Sequence, residues 1–316
     1  FIGTNTSGYG TDANGVRYLT LDMGSGGQTV PDGSTAKVKV ALLNLGQSAD
    51  WTPTGGYVSN NNAADLGDFY QWGRVADGHQ NIVWSKNASH VNQILPCGET
   101  PGKTSEVMDY NSSSTTAPAY DTQTHQVVAG NEYYGKVIFS FSTYNQQDWY
   151  YYNNAHDPGL WGANLSSFSR TYEGTLNFPW DKPANNPCPS GWRIPAIWSW
   201  WDILIGNGSD DPHSSSISAI NNTWQLRSHN NTVYGGYIVT NYANEKIFLP
   251  ITGIRGAPDC SNPTYGNFGS FYLSSTSDSN KSGAMNSMLN ITRTGYLYVN
   301  NTPNQQGQCA RCFKEP

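Results

Sequence analysis

The sequence predicts an α+β protein: a run of short strands, one or two short helices and long loops. Three observations carry this. Short apolar–polar alternations recur along the chain, most densely in its second half. One segment alone repeats apolar residues with helical spacing. Turn formers are abundant, with 33 Gly, 17 Pro and about a tenth Asn, whereas the strong helix formers are sparse.

In chain order, residues 1–36 form a lead-in strand and loop. Thr11-Asp12-Ala13-Asn14-Gly15 is a turn, Arg17-Tyr18-Leu19-Thr20-Leu21 a short strand, and Gly24 to Gly33 a Gly/Pro loop. Residues 37–316 follow as a single domain. Lys37 to Leu42 alternates charged and apolar residues, which suits a half-buried strand. Gly67 to Arg74 is an aromatic block compatible with strand or short helix. Residues 98–130 are Ser/Thr/Pro-rich and read as loop, and Lys136 to Phe141 as strand.

A long aromatic and Asn-rich insertion follows at about 144–185, a length that in a compact domain usually carries function. Pro195 to Ile205 is the helix: Pro195 suits its first turn, Ile197, Trp200, Trp201 and Leu204 share a face, and Gly206 stops it. After a polar Asn/Ser segment come strands at 237–240, 247–250, 271–274, 284–291, 296–299 and 308–313. One helix followed by a run of strands is the α+β pattern.

Composition narrows the function. Charged residues are 13% of the chain, about half the usual ~25%, and aromatics are another 13%, which is the opposite of a disordered composition. The net charge of −6 argues against a nucleic-acid partner. No apolar run approaches the ~18 residues of a membrane span.

Motifs for catalysis are scarce. The six histidines are scattered without metal-ligand spacing, and there is neither a G-x-S-x-G elbow nor a Gly-rich phosphate loop. No Asp or Glu stands out as half of a glycosidase pair, although such pairs leave no fixed sequence spacing. Asp210-Asp211 offers two hard oxygen ligands in a Gly/Ser loop, where Ca2+ is weighed, but the EF-hand pattern is absent and no cofactor is expected.

Five cysteines leave at least one thiol unpaired within the chain if disulfides form. Cys309-Ala-Arg-Cys312 has redox-motif spacing, but on a strand positions i and i+3 face opposite sides. Ten Asn-x-Ser/Thr sequons follow from composition, and signify glycosylation only in a eukaryotic source.

The aromatics are the informative feature. Trp149, Tyr150, Tyr151 and Tyr152 are consecutive, so in an extended chain alternate rings point to opposite sides. Rings beside Asn and Gln suit recognition of polar ligands, and equally suit the core of a loop-rich fold. The candidate ligand-binding residues are Trp149, Tyr150, Tyr151, Tyr152, Trp161, Asn230 and Tyr265, on loops around 149–161, 209–231 and 259–267.

The block Asn186-Pro187-Cys188-Pro189-Ser190-Gly191-Trp192-Arg193-Ile194-Pro195 resembles the signature of the Fibrobacter succinogenes major paralogous domain family, found in Bacteroidetes surface proteins. The family continues with Thr, Glu and Trp; here Ala196 and Ser199 replace the first two, and Trp200 stands at the third. Further blocks agree in order: Leu43-Asn44-Leu45-Gly46, Phe69 to Arg74, Leu249-Pro250 with Gly253-Ile254-Arg255, Gly269 to Thr276, and Ala310-Arg311-Cys312-Phe313-Lys314. Leu273 replaces a usual Trp. The match covers roughly 37–316, and the insertion looks like that of Bacteroides cell-surface and fimbria-associated proteins.

The resemblance implies a C-type-lectin-like fold, with joined chain ends and a helix beside a small twisted antiparallel sheet. It is consistent with a Cys188–Cys312 disulfide; a second bridge, Cys260–Cys309, would leave Cys97 free. The calcium-and-sugar tripeptides of true C-type lectins are absent.

The expected function is a non-catalytic, extracellular surface or pilus-tip-like adhesin module, outer-membrane or fimbria associated. It would bind a glycan or a host or cell-surface protein through aromatic and Asn-rich loops, with other pilus subunits as further partners. The alternatives are a diversified receptor-binding protein of a phage or retroelement, a structural pilus or surface subunit, and a Cys-dependent oxidase-like enzyme, which needs two close, reactive thiols.

Overall fold

In the computed structural model the described residues are 8–22, 37–47, 50–52, 56–58, 67–81, 107–109, 118–139, 148–150, 157, 159–161, 183–197, 199–200, 217–218, 223–229, 232–240, 246–250, 252, 254–255, 270–277, 285–291 and 296–314. They are mostly strands, arranged in small antiparallel and mixed sheets with little helix.

The first sheet begins with a hairpin. In β1 (Tyr9–Thr11) and β2 (Arg17–Asp22), Tyr9 pairs with Leu19 and Thr11 with Arg17. Asp12 sets the turn by accepting the Asn14 and Val16 amides at 2.9 Å each, the self-bonding that favours Asp in turns. β3 (Lys37–Ala41) lies against β2, and its alternation is realised: Lys37 is exposed while Val38 and Val40 are buried. The lead-in thus supplies two strands of the sheet that contains β3. Two short hairpin strands follow, β4 (Asp50–Thr52) and β5 (Gly56–Val58).

β6 (Phe69–Gln71) resolves the aromatic block as a strand, followed by a turn at Trp72-Gly73. β7 (Val107–Asp109) and β8 (Val137–Phe139) pair in parallel. The segment 98–130, expected as loop, therefore contains β7 and also a Tyr120–Val127 bridge.

β9 (Ile217–Ser218) precedes a three-stranded sheet of β10 (Thr223–His229), β11 (Thr232–Thr240) and β12 (Lys246–Pro250). β13 (Ser270–Ser277), β14 (Met285–Ile291) and β15 (Tyr296–Pro303) form a meander, and β16 (Gly307–Cys309) joins β13 in parallel at Tyr272–Cys309. The largest sheet runs β6-β16-β13-β14-β15-β9. β17 (Phe313–Lys314) completes the first sheet, pairing antiparallel with β3, so the described start and end of the chain share one sheet. The expected strand 308–313 is therefore two strands, broken at 310–312.

Of the expected helix 195–205, Ile197, Ser199 and Trp200 are helical, with Trp200 N–H reaching Ala196 O at 3.4 Å; Pro195 and Ala196 precede the helical residues, and 198 and 201–205 lie outside the described residues. Trp200 packs edge-on to Phe313 at 4.7 Å and donates to Leu273 O at 3.2 Å, which seats this turn beside β13 and β17. Among the described residues no helix is long and apolar enough to cross a membrane.

Candidate functional site

The blocks quoted for the family resemblance meet in space and build the frame. Fully buried Arg311 donates from Nε to Asn44 Oδ1 at 2.7 Å and from Nη1 to the Ala41 and Leu42 carbonyls at 2.8 and 2.6 Å. Arg255 exchanges backbone hydrogen bonds with Gly307 at 2.8 and 3.0 Å and donates from Nη1 to His79 O at 3.0 Å. Trp192 donates to Asp12 Oδ2, fastening the first hairpin to the Cys-Pro-Ser-Gly-Trp-Arg block. Each buried guanidinium meets backbone carbonyls or side-chain oxygens, as burial of so polar a group requires.

The insertion docks onto the turn after β6. Trp149 Nε1 donates to Trp72 O, Trp72 Nε1 to Ser274 O at 3.0 Å, and Trp161 Nε1 to Asn185 O at 2.8 Å. The Arg74 guanidinium lies 5.1 Å from the Trp149 ring centroid. Gly73, at φ +83°, is required here: a Cβ would stand 2.6 Å from Leu160 of the insertion.

These contacts correct the display role expected of three residues. Trp149 and Trp161 are 0% exposed and Tyr150 is 4% exposed, all within the main hydrophobic cluster. Their apolar area and the demand of each indole N–H for a backbone acceptor draw them inward. They anchor the insertion and offer no open face to a ligand. Tyr151, Tyr152, Asn230 and Tyr265 lie outside the described residues, as do Asp210 and Asp211.

Cys188 and Cys312 form a disulfide, the pairing that the resemblance implies. Cys309 is a buried thiol outside any disulfide, which corrects the expected Cys260–Cys309 bridge; Cys260 and Cys97 lie outside the described residues. Burial pushes the Cys309 thiol up to about 12, and its sulfur accepts from Asn44 Nδ2 at 3.5 Å. Cys309 faces the Phe69 side of the sheet, while Cys312 belongs to the opposite cluster with Trp72 and Leu273. The two sulfurs have different partners.

Among the described residues two histidine–aspartate pairs occur, neither marked by sequence spacing. In the first, Asp77 Oδ1 stands 2.6 Å from His79 Nδ1, and Asp77 Oδ2 accepts from Arg74 Nη2 at 2.5 Å. His79 Nε2 accepts the Gln71 backbone amide at 3.1 Å, so the ring proton resides on Nδ1. Burial, reinforced by Arg74, lowers His79 to about 4. Burial opposes ionisation of Asp77, but His79 and Arg74 outweigh it and hold the carboxyl well below its usual range. This is a neutral imidazole and a carboxylate sealed inside the frame, with both ring nitrogens engaged, so it has no free nitrogen for proton transfer to a substrate.

The second pair is partly buried. His125 Nδ1 meets Asp157 Oδ2 at 2.6 Å, with side chains 28% and 16% exposed. Its ring stacks on Tyr150, with centroids 4.9 Å apart and planes within 4°. His125 belongs to a turn that resists sequence reading: the partners are 32 residues apart, and the backbone conformation that joins them is unusual for histidine. Among the described residues no group of three or more His, Cys, Asp or Glu is placed to hold a metal ion.

No protein-family model, curated protein or solved structure matches the chain.

Proposed function

We propose that the protein is a non-catalytic, extracellular binding module on a C-type-lectin-like frame, of the major paralogous domain type, and that its insertion contacts a glycan or protein ligand. The observation that carries the reading is the docking of the insertion through three buried rings, Trp149, Tyr150 and Trp161, on a frame closed by β3, β17 and the Cys188–Cys312 disulfide. Recognition by loops works best when their ends are fixed beforehand, because ordering costs then fall outside the binding step. With the described rings committed to anchoring, ligand contact passes to their neighbours Tyr151 and Tyr152 and to the Asn-rich remainder of the insertion. The disulfide supports an oxidising compartment, in keeping with a surface or fimbrial location.

The same cysteines weigh against the oxidase-like alternative. That chemistry needs two near, accessible thiols of low pKa, whereas Cys312 is bonded to Cys188 and Cys309 is buried with a raised pKa.

The test is binding of the intact chain to arrays of oligosaccharides and of purified cell-surface and matrix proteins. The Tyr151→Ala/Tyr152→Ala double variant runs in parallel, with melting curves for both. A signal lost in the variant at unchanged melting temperature supports the reading. A folded wild-type chain that binds nothing, or a variant that binds equally well, overturns it.

A further inference from the structure

Asn14-Gly15 is the one Asn-Gly step among the described residues, and it lies in the turn of the β1–β2 hairpin. An asparagine followed by glycine is prone to lose its side-chain amide, because glycine has no side chain to keep its backbone nitrogen from the asparagine Cγ. Space at Gly15 is open: its φ is +78°, and an added Cβ would meet nothing within 4 Å. Water reaches the step, since Ala13, Asn14 and Gly15 are all exposed.

The same asparagine is a fastener. Its Nδ2 donates to Ser190 O at 2.9 Å, across 176 residues of sequence. Beside that bond, Trp192 Nε1 donates to Asp12 Oδ2, and the Lys314 ammonium stands 3.7 Å from the same oxygen. Asp12 also shapes the turn: its Oδ1 accepts the Asn14 and Val16 amides, and its carbonyl accepts the Gly15 amide at 3.0 Å. Asp12 and Asn14 thus hold the first hairpin to the 186–195 block and to β17.

We propose that Asn14 is a modification site, and that its deamidation unfastens the first hairpin. In the closed turn the Gly15 amide and Asn14 Nδ2 are both hydrogen-bonded, so the reaction waits for this exposed turn to open locally. The Gly15 nitrogen then gives up its proton and bonds to Asn14 Cγ. The Cγ–Nδ2 bond breaks, and Nδ2 takes up a proton and leaves as ammonia. Water adds to one of the two imide carbonyls and breaks its bond to the ring nitrogen. Opening at Cγ leaves aspartate at position 14; opening at the other carbonyl leaves isoaspartate, which lengthens the main chain by one carbon. Neither product has a side-chain N–H for Ser190 O, and both place a negative charge close to Asp12. An acceptor facing an acceptor, with like charges nearby, opposes redocking. The ammonia is lost to solvent, so the loosening is one-way.

The experiment ages the intact wild-type chain at pH 8 under native conditions. Peptide mass spectrometry reads amide loss at Asn14 and, as internal reference, at Asn131, which precedes Glu132. Asn14→Asp supplies one product directly; Asn14→Gln keeps an amide donor but closes the larger imide ring poorly, and is the non-reacting control. Hydrogen exchange is read on peptides covering 8–22 and, as reference, 67–81. We expect Asn14 to convert at least tenfold faster than Asn131. In Asn14→Asp, exchange at 8–22 should rise about fivefold over fresh wild type with 67–81 unchanged, the effect of one lost hydrogen bond. Aged wild type should show the same rise in proportion to its conversion, and aged Asn14→Gln none.

Conversion at Asn14 no faster than at Asn131 overturns the modification site. Fast conversion with exchange at 8–22 unmoved, in aged wild type and in Asn14→Asp alike, overturns the unfastening. An equal rise on ageing in Asn14→Gln traces the loosening to another position and overturns it as well.

Discussion

Asp77 Oδ1 and His79 Nδ1 meet at 2.6 Å, while the other ring nitrogen of His79 accepts the Gln71 amide; the imidazole is therefore folded into the frame as a neutral group. Its pKa is about 4 in the fold against an ordinary value near 6.5. Between those values the unfolded chain binds the proton and the native one does not, so stability rises with pH across that window and is level above it. The expected loss on acidification from pH 6.5 to 4 is on the order of 3 kcal/mol from this residue. The Asp77 carboxyl, held low, adds its own loss only at still lower pH. Denaturant midpoints across pH 4–8 check this in wild type and in His79→Asn, which keeps a donor for Asp77 but does not titrate. Equal slopes in the two proteins would show that His79 is not buried as a neutral group.

The tryptophans of the insertion give a second check. Trp149→Ala removes a fully buried ring, an indole donor to Trp72 O and the surface beneath Arg74, and is expected to cost about 3–5 kcal/mol. Trp161→Ala should cost about as much, since its N–H to Asn185 O is lost together with its packing on Trp72. A midpoint unchanged by either substitution would place that ring at the surface.

What could be read from the sequence follows from how local each signal is. Lys37–Ala41 alternates charged and apolar residues, and its burial follows the alternation residue by residue. The Thr223–His229 strand was hidden, because Trp-Gln-Leu-Arg-Ser-His between Asn residues resembles the polar segment around it, and only pairing with β11 defines it. Four consecutive aromatics fix no inside or outside; Trp149 and Tyr150 are both drawn inward because the Trp72–Arg74 turn offers one an acceptor and His125 offers the other a stacking partner. The disulfide was legible through resemblance alone. Neither His79–Asp77 nor His125–Asp157 carries a spacing rule, since each depends on how a turn is held.

Cys309 should behave as an inert thiol despite its nearness in sequence to Cys312. Iodoacetamide applied to the native protein at pH 8 should leave the peptide carrying Cys309 unmodified, and label it fully after denaturation. Cys188→Ala/Cys312→Ala removes a cross-link that spans 124 residues and should cost about 2–5 kcal/mol in denaturant unfolding. Native labelling of Cys309 would contradict its burial. An unshifted midpoint in the double variant would contradict the disulfide.

Two buried glutamines on neighbouring strands make the sharpest comparison. Gln71 uses its whole amide: Nε2 donates to Ile138 O and Gln305 O at 2.8 and 2.6 Å, and Oε1 accepts from Arg74 Nη1 and the Ile138 amide at 2.6 and 3.1 Å. Gln308, opposite Tyr70 in the same strand pair, is equally buried, yet neither Nε2 nor Oε1 has a partner among the described residues. A buried donor and acceptor left unmade each carry a desolvation cost of about 1–3 kcal/mol, which a thioether of similar length does not. Gln308→Met is therefore expected to raise stability by about 1–2 kcal/mol. Gln71→Met, which strands the Arg74 guanidinium and the Ile138 amide, should lower it by about 3 kcal/mol or more. Denaturant midpoints of the two variants decide the matter, and a Gln308→Met protein less stable than wild type would reveal a partner for that amide.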